Sequence, residues 1–376
     1  MTKTSTYLES KSHYEILDGL RGVAALLVVI FHVFETYSGD RFHQMMNHGY
    51  LAVDFFFVLS GFVVAYAYDD RWGKMTQWDF YKRRLIRLQP MVIIGTIIGA
   101  AFFYFQAGSA FPLISQTPVW KMLLVMLVGF TMLPLLPSMD IRGWNEMHPL
   151  DGPAWSLFFE YIANIMYALF VRKFSKIWLG VFVFLSGCLL IHYLVMGPTG
   201  DVIGGWSIDK TQLNIGFCRV LYPFFAGVLL CRMGKLIHVN HAFWVCSLMI
   251  LVIFFIPRIG GSTDLWMNGL YESFSIIVVF PLIVSIGAGG TITGKYSTKI
   301  CKWLGAISYP LYITHYPLIY LHIAWVTNNK IPIGPGLLAG LVLLIVSVAI
   351  AYVSLKLYDE PIRHWLTKRF LKKQQS

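Results

Sequence analysis

The amino-acid sequence predicts an all-α membrane protein, a polytopic bundle of ten transmembrane helices plus one re-entrant or interfacial segment. Three observations support this fold class: 57% of the 376 residues are hydrophobic, only 13% are charged, and the apolar residues occur in repeated blocks. These blocks are about 17 to 22 residues long, the length that crosses roughly 30 Å of hydrocarbon as a helix. The composition excludes a soluble globular enzyme, a disordered chain and a disulfide-stabilised scaffold.

Eleven apolar blocks follow one another along the chain. The five cysteines lie in or beside them without the close spacing that a metal site needs, so we expect small hydrophobic residues there and no metal site. The blocks cover residues 16–35, 49–68, 91–107, 119–137, 154–171, 178–197, 213–231, 242–257, 269–287, 303–323 and 337–355.

The distribution of lysine and arginine predicts the orientation in the membrane. The N-terminus, four of the intervening segments and the tail hold 22 of the 30 basic residues, whereas the loops on the opposite side hold five. The positive-inside rule makes the basic side, with both chain ends, cytoplasmic. The net charge of +11 is thus explained by the basic cytoplasmic segments, and we do not expect a basic face that binds nucleic acid.

We expect that one of the eleven apolar blocks does not cross the membrane. The basic segment 69–90 and the acidic loop 138–153 fall on opposite sides, yet two apolar blocks separate them. We predict that 119–137 is the re-entrant or interfacial block, because it contains Lys121, Gly129, Pro134 and Pro137, and the alternative is 91–107. Ten spans then remain, in a single integral membrane domain over 1–376 that we expect to carry no appended soluble domain.

Arg21 and His32 lie on the first span, eleven residues apart. At 100° per residue they share one helix face, separated by a rise of roughly 16 Å. Arg21 is therefore predicted near the cytoplasmic end, and His32 in the outer half.

Four further ionisable side chains fall inside predicted spans at the depth of His32: Asp54, Glu160, Arg219 and His315. A charge at bilayer depth costs at least about 2.5 to 3.5 kcal/mol, so each is a functional candidate. The sequence thus predicts five polar groups from five helices in one layer. Buried structural pairs, for example Asp54 with Arg219, are the alternative interpretation and stay open at this point.

A run of arginines precedes the third block, in the sequence RRLIRLQP. We predict that Arg83, Arg84 and Arg87 form an anion site for phosphates, which guanidinium groups bind by bidentate hydrogen bonds. Anchoring of the helix end by positive charge is the alternative.

With these residues in view, the chain resembles the membrane-bound acyltransferase 3 family, the multispan O-acyltransferases that modify bacterial sugars. The resemblance covers nearly the whole length, and the order of its fragments makes it specific. The fragments are LDGLRGVAALLVVIFHVF, GYLAVDFFFVLSGF, RRLIRLQP, PAWSLFFE, FCRVLYPFFAGVLL, ISYPLYITHYPL and YDEPIRHW.

The resemblance implies transfer of an acyl group, usually acetyl, from cytoplasmic acetyl-CoA to a hydroxyl. The family's arginine-to-histidine motif falls on Arg21 and His32. We expect His32 to act as the general base, with Asp54 or Glu160 orienting its ring, as the carboxylate does in a catalytic triad. A covalent acyl-His32 intermediate stays open.

The acceptor side involves four further residues in the matched fragments. His315 and Arg219 are expected to bind the acceptor or stabilise the oxyanion, and Trp155 and Ser60 to bind substrate. The expected acceptor is a cell-envelope carbohydrate, free or lipid-linked, at the bacterial inner membrane, and the oligomeric state stays open. A small-molecule or lipid acceptor is one alternative. A transporter is another, disfavoured because the chain has no evident inverted repeat.

Overall fold

The computed structural model describes residues 13–292 and 294–371, and in this part of the chain helices joined by loops form the secondary structure, without a β-strand. The predicted all-α class is confirmed. Its α-helices are α1 Glu15–Glu35, α2 Ala52–Tyr68, α3 Gln77–Phe102, α4 Val119–Gly129, α5 Ala154–Leu169, α6 Lys176–Met196, α7 Lys210–Met233, α8 Ala242–Phe255, α9 Leu265–Phe274, α10 Phe280–Gly289, α11 Lys295–Thr314, α12 Tyr316–Asn329, α13 Ile333–Ser354 and α14 Glu360–Phe370.

Seven helical stretches of the described residues are long and apolar enough to cross a membrane. Two shorter apolar helices, α4 and α8, accompany them. Length and composition therefore establish a membrane protein, whereas the predicted number of ten spans stays a prediction. The seven stretches are Glu15–Glu35, Gly49–Arg71, Gln77–Gln106, Lys176–Met196, Lys210–Met233, Leu265–Gly289 and Ile333–Phe370.

The block predicted not to cross contains the short helix α4. Its 11 residues rise about 16 Å, roughly half of the hydrocarbon thickness, and the chain leaves the helix after Gly129. Lys121 donates a hydrogen bond from Nζ to the carbonyl oxygen of Asp140 at 2.9 Å, so its charge has a polar partner. An apolar segment of this length is typical of a re-entrant or interfacial element.

Helix α3 begins fourteen residues before the apolar block on which it was predicted, at Gln77 rather than at residue 91. The cause is a capping box, in which Thr76 Oγ1 accepts from the backbone of Asp79 and the Asp79 side chain accepts from the backbone of Thr76. The arginine run is therefore helical and lies within the bundle. These residues were predicted to lie in the segment between two spans, and the structure corrects this, since residues 77–90 belong to α3.

Close helix contacts bring the candidate residues together. At Gly22 on α1, an added Cβ would collide with the backbone of Leu304 on α11, and at Gly61 on α2 it would collide with the carbonyl of Phe224 on α7. Small residues let membrane helices approach at this distance. The first contact brings α1 against the middle of α11, and the second brings α2 against α7.

The block predicted as one span over 303–323 is divided between α11 and α12 at His315. Pro317 stands in the first turn of α12, and because proline has no N–H the helical hydrogen-bond ladder is interrupted there. The break turns the two rings that flank it toward α1. His315 stacks on His32 with ring centroids 5.7 Å apart, and the Tyr316 ring meets His32 edge-on at 4.8 Å.

Candidate active site

Two adjoining cavities occupy the centre of the bundle. The inner cavity, about 140 Å³, lies between α1, α2, α3, α5 and α11, and Arg21, Arg84 and Arg87 line it. The outer chamber, about 890 Å³, is lined by His32 and Glu35 of α1 and by the loops that follow α1 and precede α5. Val53 and Tyr312 line both. A long, thin ligand and a bulky one can therefore approach a common point from opposite ends.

Arg84 and Ser60 meet one carboxylate in the inner cavity. Arg84 Nη2 donates to Glu160 Oε1 at 2.6 Å, and Ser60 Oγ donates to the same oxygen at 2.7 Å. The bond lengths are those of charge-assisted hydrogen bonds. Glu160 was predicted as a partner of His32, and this is wrong, because the early start of α3 brings Arg84 to Glu160 instead.

The other two arginines of the inner cavity differ in their hydrogen-bond partners. Arg21 donates from Nε to Ser308 Oγ at 2.8 Å and from Nη2 to Asp18 Oδ1 at 2.9 Å. Arg87 makes no hydrogen bond or ion pair to the described residues, and its side chain is exposed within the cavity. Arg87 is therefore the cation best placed to bind an anionic ligand.

Arg83 does not line either cavity, although it precedes Arg84 directly. At 100° per residue, Arg87 lies between the other two around the helix axis, about 60° from Arg84 and about 40° from Arg83, so the cavity is on the Arg84 side of Arg87. Arg83 was predicted in the anion site, and the structure places it outside the cavity. The structure adds another cation at this end, because Arg363 of α14, paired with Asp359 at 2.8 Å, lies within electrostatic range of Arg87.

His32 has a carboxylate partner one turn away in the outer chamber. Its Nδ1 lies 2.7 Å from Glu35 Oε2, and Glu35 is the last residue of α1. This contact leaves Nε2 as the ring nitrogen available to a ligand. The predictions that Asp54 or Glu160 would orient the ring are wrong. The spacing i, i+3 on a helix is the signal that could have revealed Glu35 from the sequence.

Asp54 forms a buried ion pair with Arg219, which was the alternative interpretation. Arg219 Nη2 and Nε bind Asp54 Oδ2 and Oδ1 at 2.7 and 3.2 Å, and two further N–H groups donate to the carbonyls of Tyr50 and Gly204. The close approach of α2 and α7 produces this geometry. Four of the five N–H donors are thus engaged, so Arg219 holds helices together, and its role toward the acceptor or the oxyanion stays a prediction.

His315 is fully buried and lines neither cavity. Its Nδ1 lies 3.0 Å from the carbonyls of Leu311 and Tyr312, and Nε2 has no hydrogen-bond partner among the described residues. The structure therefore places His315 behind His32 and not beside it on the chamber wall. The role of His315 toward the acceptor or the oxyanion stays a prediction.

Aromatic rings dominate the wall of the outer chamber. Trp155, which was predicted to bind substrate, lies on this wall, and the Arg219 guanidinium is 5.1 Å from the Trp155 ring. Trp144, Trp206, Tyr312 and Tyr316 also line it and were not singled out from the sequence, where their positions on separate loops and helices gave no common signal. Flat apolar faces with a few polar groups between them suit a ring-shaped polar molecule.

Within the described ranges, no group of three or more histidine, cysteine or acidic side chains could hold a metal ion. The site is thus a set of cations at one end, an imidazole with a carboxylate at the other, and a shared wall between them. The family profile described as an acyltransferase domain matches residues 14–356. The chain belongs to the acyltransferase 3 family. The predicted resemblance is confirmed, and so is the prediction that the protein is an acyltransferase.

Several curated proteins are similar to this chain. Protein 2 in the picA locus of Rhizobium radiobacter is 34% identical over 164 residues, which is 41% of this chain and 80% of that protein. O-acetyltransferase OatA of Staphylococcus aureus is 23% identical over 363 residues, 92% of this chain and 57% of that protein. A putative O-acetyltransferase of the same species, SACOL0978, is 24% identical over 355 residues, 89% of this chain and 55% of its own length.

The chain thus spans a little over half the length of the two named O-acetyltransferases. No solved structure matches it. The relatives support transfer to an oxygen atom, in agreement with the predicted reaction class.

Proposed function

We propose that this protein is an integral membrane O-acyltransferase that moves an acyl group, with acetyl as our choice, from cytoplasmic acyl-CoA to a hydroxyl of a cell-envelope sugar. The observation that carries the proposal is the pair of adjoining cavities, one with arginines and one with a histidine–carboxylate pair. The relatives named as O-acetyltransferases agree with it.

The inner cavity supports a nucleotide thioester as the donor. Arg87 offers a guanidinium without a bound anion, and Arg21 and Arg84, each paired with one carboxylate, line the same cavity. The cavity is narrow and its remaining walls are mostly apolar, so it suits the extended pantetheine arm of coenzyme A better than the nucleotide. We propose that the phosphates stay at the arginines while the arm reaches toward Val53 and Tyr312.

The outer chamber supports a carbohydrate acceptor. It is several times larger than the inner cavity, and its tryptophan and tyrosine rings can pack on the apolar faces of a sugar. Glu35, Asp40, Glu146 and Arg41 provide polar groups between the rings. The chamber could take a free glycan or one attached to a lipid carrier, and the proposal includes both.

His32 is the base in this proposal. A sugar hydroxyl is a weak nucleophile at neutral pH, and imidazole is the side chain whose unperturbed pKa suits removal of its proton. Nε2 takes the hydroxyl proton as the oxygen attacks the thioester carbonyl, and the imidazolium then gives that proton to the departing thiolate. Glu35 holds Nδ1 and stabilises the imidazolium, as the carboxylate does in a catalytic triad.

The orientation of the proposal follows the charge distribution. The arginine end carries most of the lysine and arginine residues and is assigned to the cytoplasm, together with both chain ends. We assign the protein to the bacterial inner membrane. The donor then enters from the cytoplasm and the acceptor from the opposite side, so the acyl group crosses the membrane during the reaction.

Membrane vesicles of defined orientation test this proposal. Everted vesicles that contain the protein and an envelope glycan should transfer label from radiolabelled acetyl-CoA, because the donor reaches the arginine end. Right-side-out vesicles should transfer only after permeabilisation. Equal transfer by intact right-side-out vesicles would contradict the orientation, and no transfer in any preparation would contradict the acyl-CoA donor.

A further inference from the structure

Two of the described residues, Val53 and Tyr312, line both cavities, and of these Tyr312 has the polar side chain. The other shared residue, Val53, is apolar. On the proposed function, on which this inference rests, the donor arm comes from one cavity and the acceptor from the other. The reacting carbonyl must therefore lie where the two cavities adjoin, beside the Tyr312 hydroxyl.

The surroundings of Tyr312 hold its ring in place. Phe56 packs edge-on against it with ring centroids 5.3 Å apart, and the ring is buried. Tyr312 shares a face of α11 with Ser308, one turn earlier, which binds Arg21. The same helix face thus contacts the donor-side cation and reaches the boundary of the outer chamber. A rigid ring in this place can present a hydroxyl with little reorganisation.

The hydroxyl of Tyr312 has a resting partner in Ser156. The two oxygens are 2.8 Å apart, and Ser156 Oγ itself donates to the carbonyl of Pro153 at 2.9 Å. Since Ser156 has a single hydroxyl hydrogen, Tyr312 is the donor in the pair. Rotation about its C–O bond can redirect that hydrogen, and a developing negative charge is a stronger acceptor than a serine hydroxyl.

The groups first considered for the oxyanion are held by other partners or lie outside the cavities. Arg219 has four of its five N–H donors on Asp54, Tyr50 and Gly204, and His315 lines neither cavity. We propose that Tyr312 is a catalytic residue whose O–H donates a hydrogen bond to the thioester carbonyl oxygen as negative charge develops on it. The acceptor oxygen bonds to the carbonyl carbon, the carbon–sulfur bond then breaks, and the proton passes from the hydroxyl through His32 to the thiolate.

Two variants separate this role from a structural one. Tyr312→Phe removes the hydroxyl, whereas Ser156→Ala removes the same resting hydrogen bond and leaves the hydroxyl in place. Removal of an oxyanion donor lowers kcat by about 10²- to 10³-fold. We expect Tyr312→Phe to lose kcat on that scale, with acetyl-CoA binding unchanged, and Ser156→Ala to stay within a few-fold of wild type. Equal losses in both variants would overturn the inference.

The measurement uses full-length protein in proteoliposomes, with wild type and His32→Ala assayed beside the two variants. Transfer by wild type together with undiminished kcat in Tyr312→Phe would overturn the inference alone. Absence of transfer by wild type would overturn the proposed function and the inference with it. If Tyr312→Phe does not bind acetyl-CoA, difluorotyrosine at position 312 replaces it. Its more acidic hydroxyl should shift the pH profile of kcat, and an unchanged profile would overturn the inference.

Discussion

The outer chamber has a carboxylate partner for each arginine on its wall, whereas the inner cavity has, among the described residues, one for Arg21 and one for Arg84 but none for Arg87. In the outer chamber, Arg219 is matched by the buried carboxylate of Asp54, and Arg41 by that of Asp201. In the inner cavity, Arg87 has no such partner among the described residues. A buried charge that is paired holds helices and loops together, whereas an exposed, unpaired guanidinium in a cavity is free to bind an anion. The comparison separates structural from functional cations on one physical criterion.

The largest expected effect is on the base. His32→Ala should abolish acyl transfer while acetyl-CoA binding persists, because the inner cavity is untouched. His43→Ala is the matched control, since His43 is exposed, also contacts a carboxylate three residues away, and does not line the outer chamber. Product formation and donor binding measured on both variants check this. Substantial transfer by His32→Ala would mean that another group is the base.

Breaking the structural pair of the outer chamber should affect stability. Arg219→Ala leaves Asp54 charged and buried, and removal of one partner of a buried pair destabilises by about 3 to 5 kcal/mol. We expect a much lower Tm in detergent. A double variant, Arg219→Met with Asp54→Leu, should recover most of the loss. If Arg219→Ala keeps the wild-type Tm but loses transfer, Arg219 contacts substrate and the division between structural and functional cations fails.

A substitution of Glu35 tests whether its contact with His32, which the sequence did not predict, is needed for catalysis. Glu35→Gln keeps an oxygen near His32 Nδ1 but cannot stabilise an imidazolium, so we expect a loss of kcat of about 10- to 100-fold, an order of magnitude typical of general acid–base assistance. The Tm should stay unchanged because Glu35 is partly exposed. Wild-type kcat in this variant would remove Glu35 from the mechanism.

Arg87 tests the unpaired charge of the inner cavity. Arg87→Ala should weaken acetyl-CoA binding by about 10- to 100-fold, because a hydrogen bond to a charged group contributes about 1.5 to 3 kcal/mol. Arg83→Ala is the control, one turn earlier on α3 and outside the cavity. Titration of both variants with acetyl-CoA measures the difference. Equal affinity in the two would favour simple anchoring by the arginine run.

The smallest expected effect concerns pH. Burial raises the pKa of Glu146, in the loop before α5, to about 7, and Tyr320 donates to its carboxyl. The folded protein therefore holds this proton at pH values where the unfolded chain has released it, so stability contributed by Glu146 is lost as pH rises toward 7. Glu146→Gln should raise Tm relative to wild type at pH 8 more than at pH 5. A difference independent of pH would contradict this.

Local patterns predicted much of the fold. The α5, α6 and α8 blocks agree with the observed helices to within two residues, because their apolar runs are bounded by polar or helix-breaking residues. The α3 block did not, since five of its first fourteen helical residues are charged and a capping box, not hydropathy, starts the helix. Hydropathy detects helix that contacts lipid, and it misses helix that carries charge into the bundle.

The sequence by itself determined the membrane class, the charge asymmetry and the spacing of Arg21 and His32, because each depends on composition or on the geometry of a single helix. Only the tertiary structure decided which carboxylate serves His32, which arginine stays unpaired and which side chain faces both cavities. Those choices depend on helix rotation and on close contacts such as Gly61 against Phe224. A difference of one residue on a helix turns a side chain by 100°, and depth along the span does not specify that rotation.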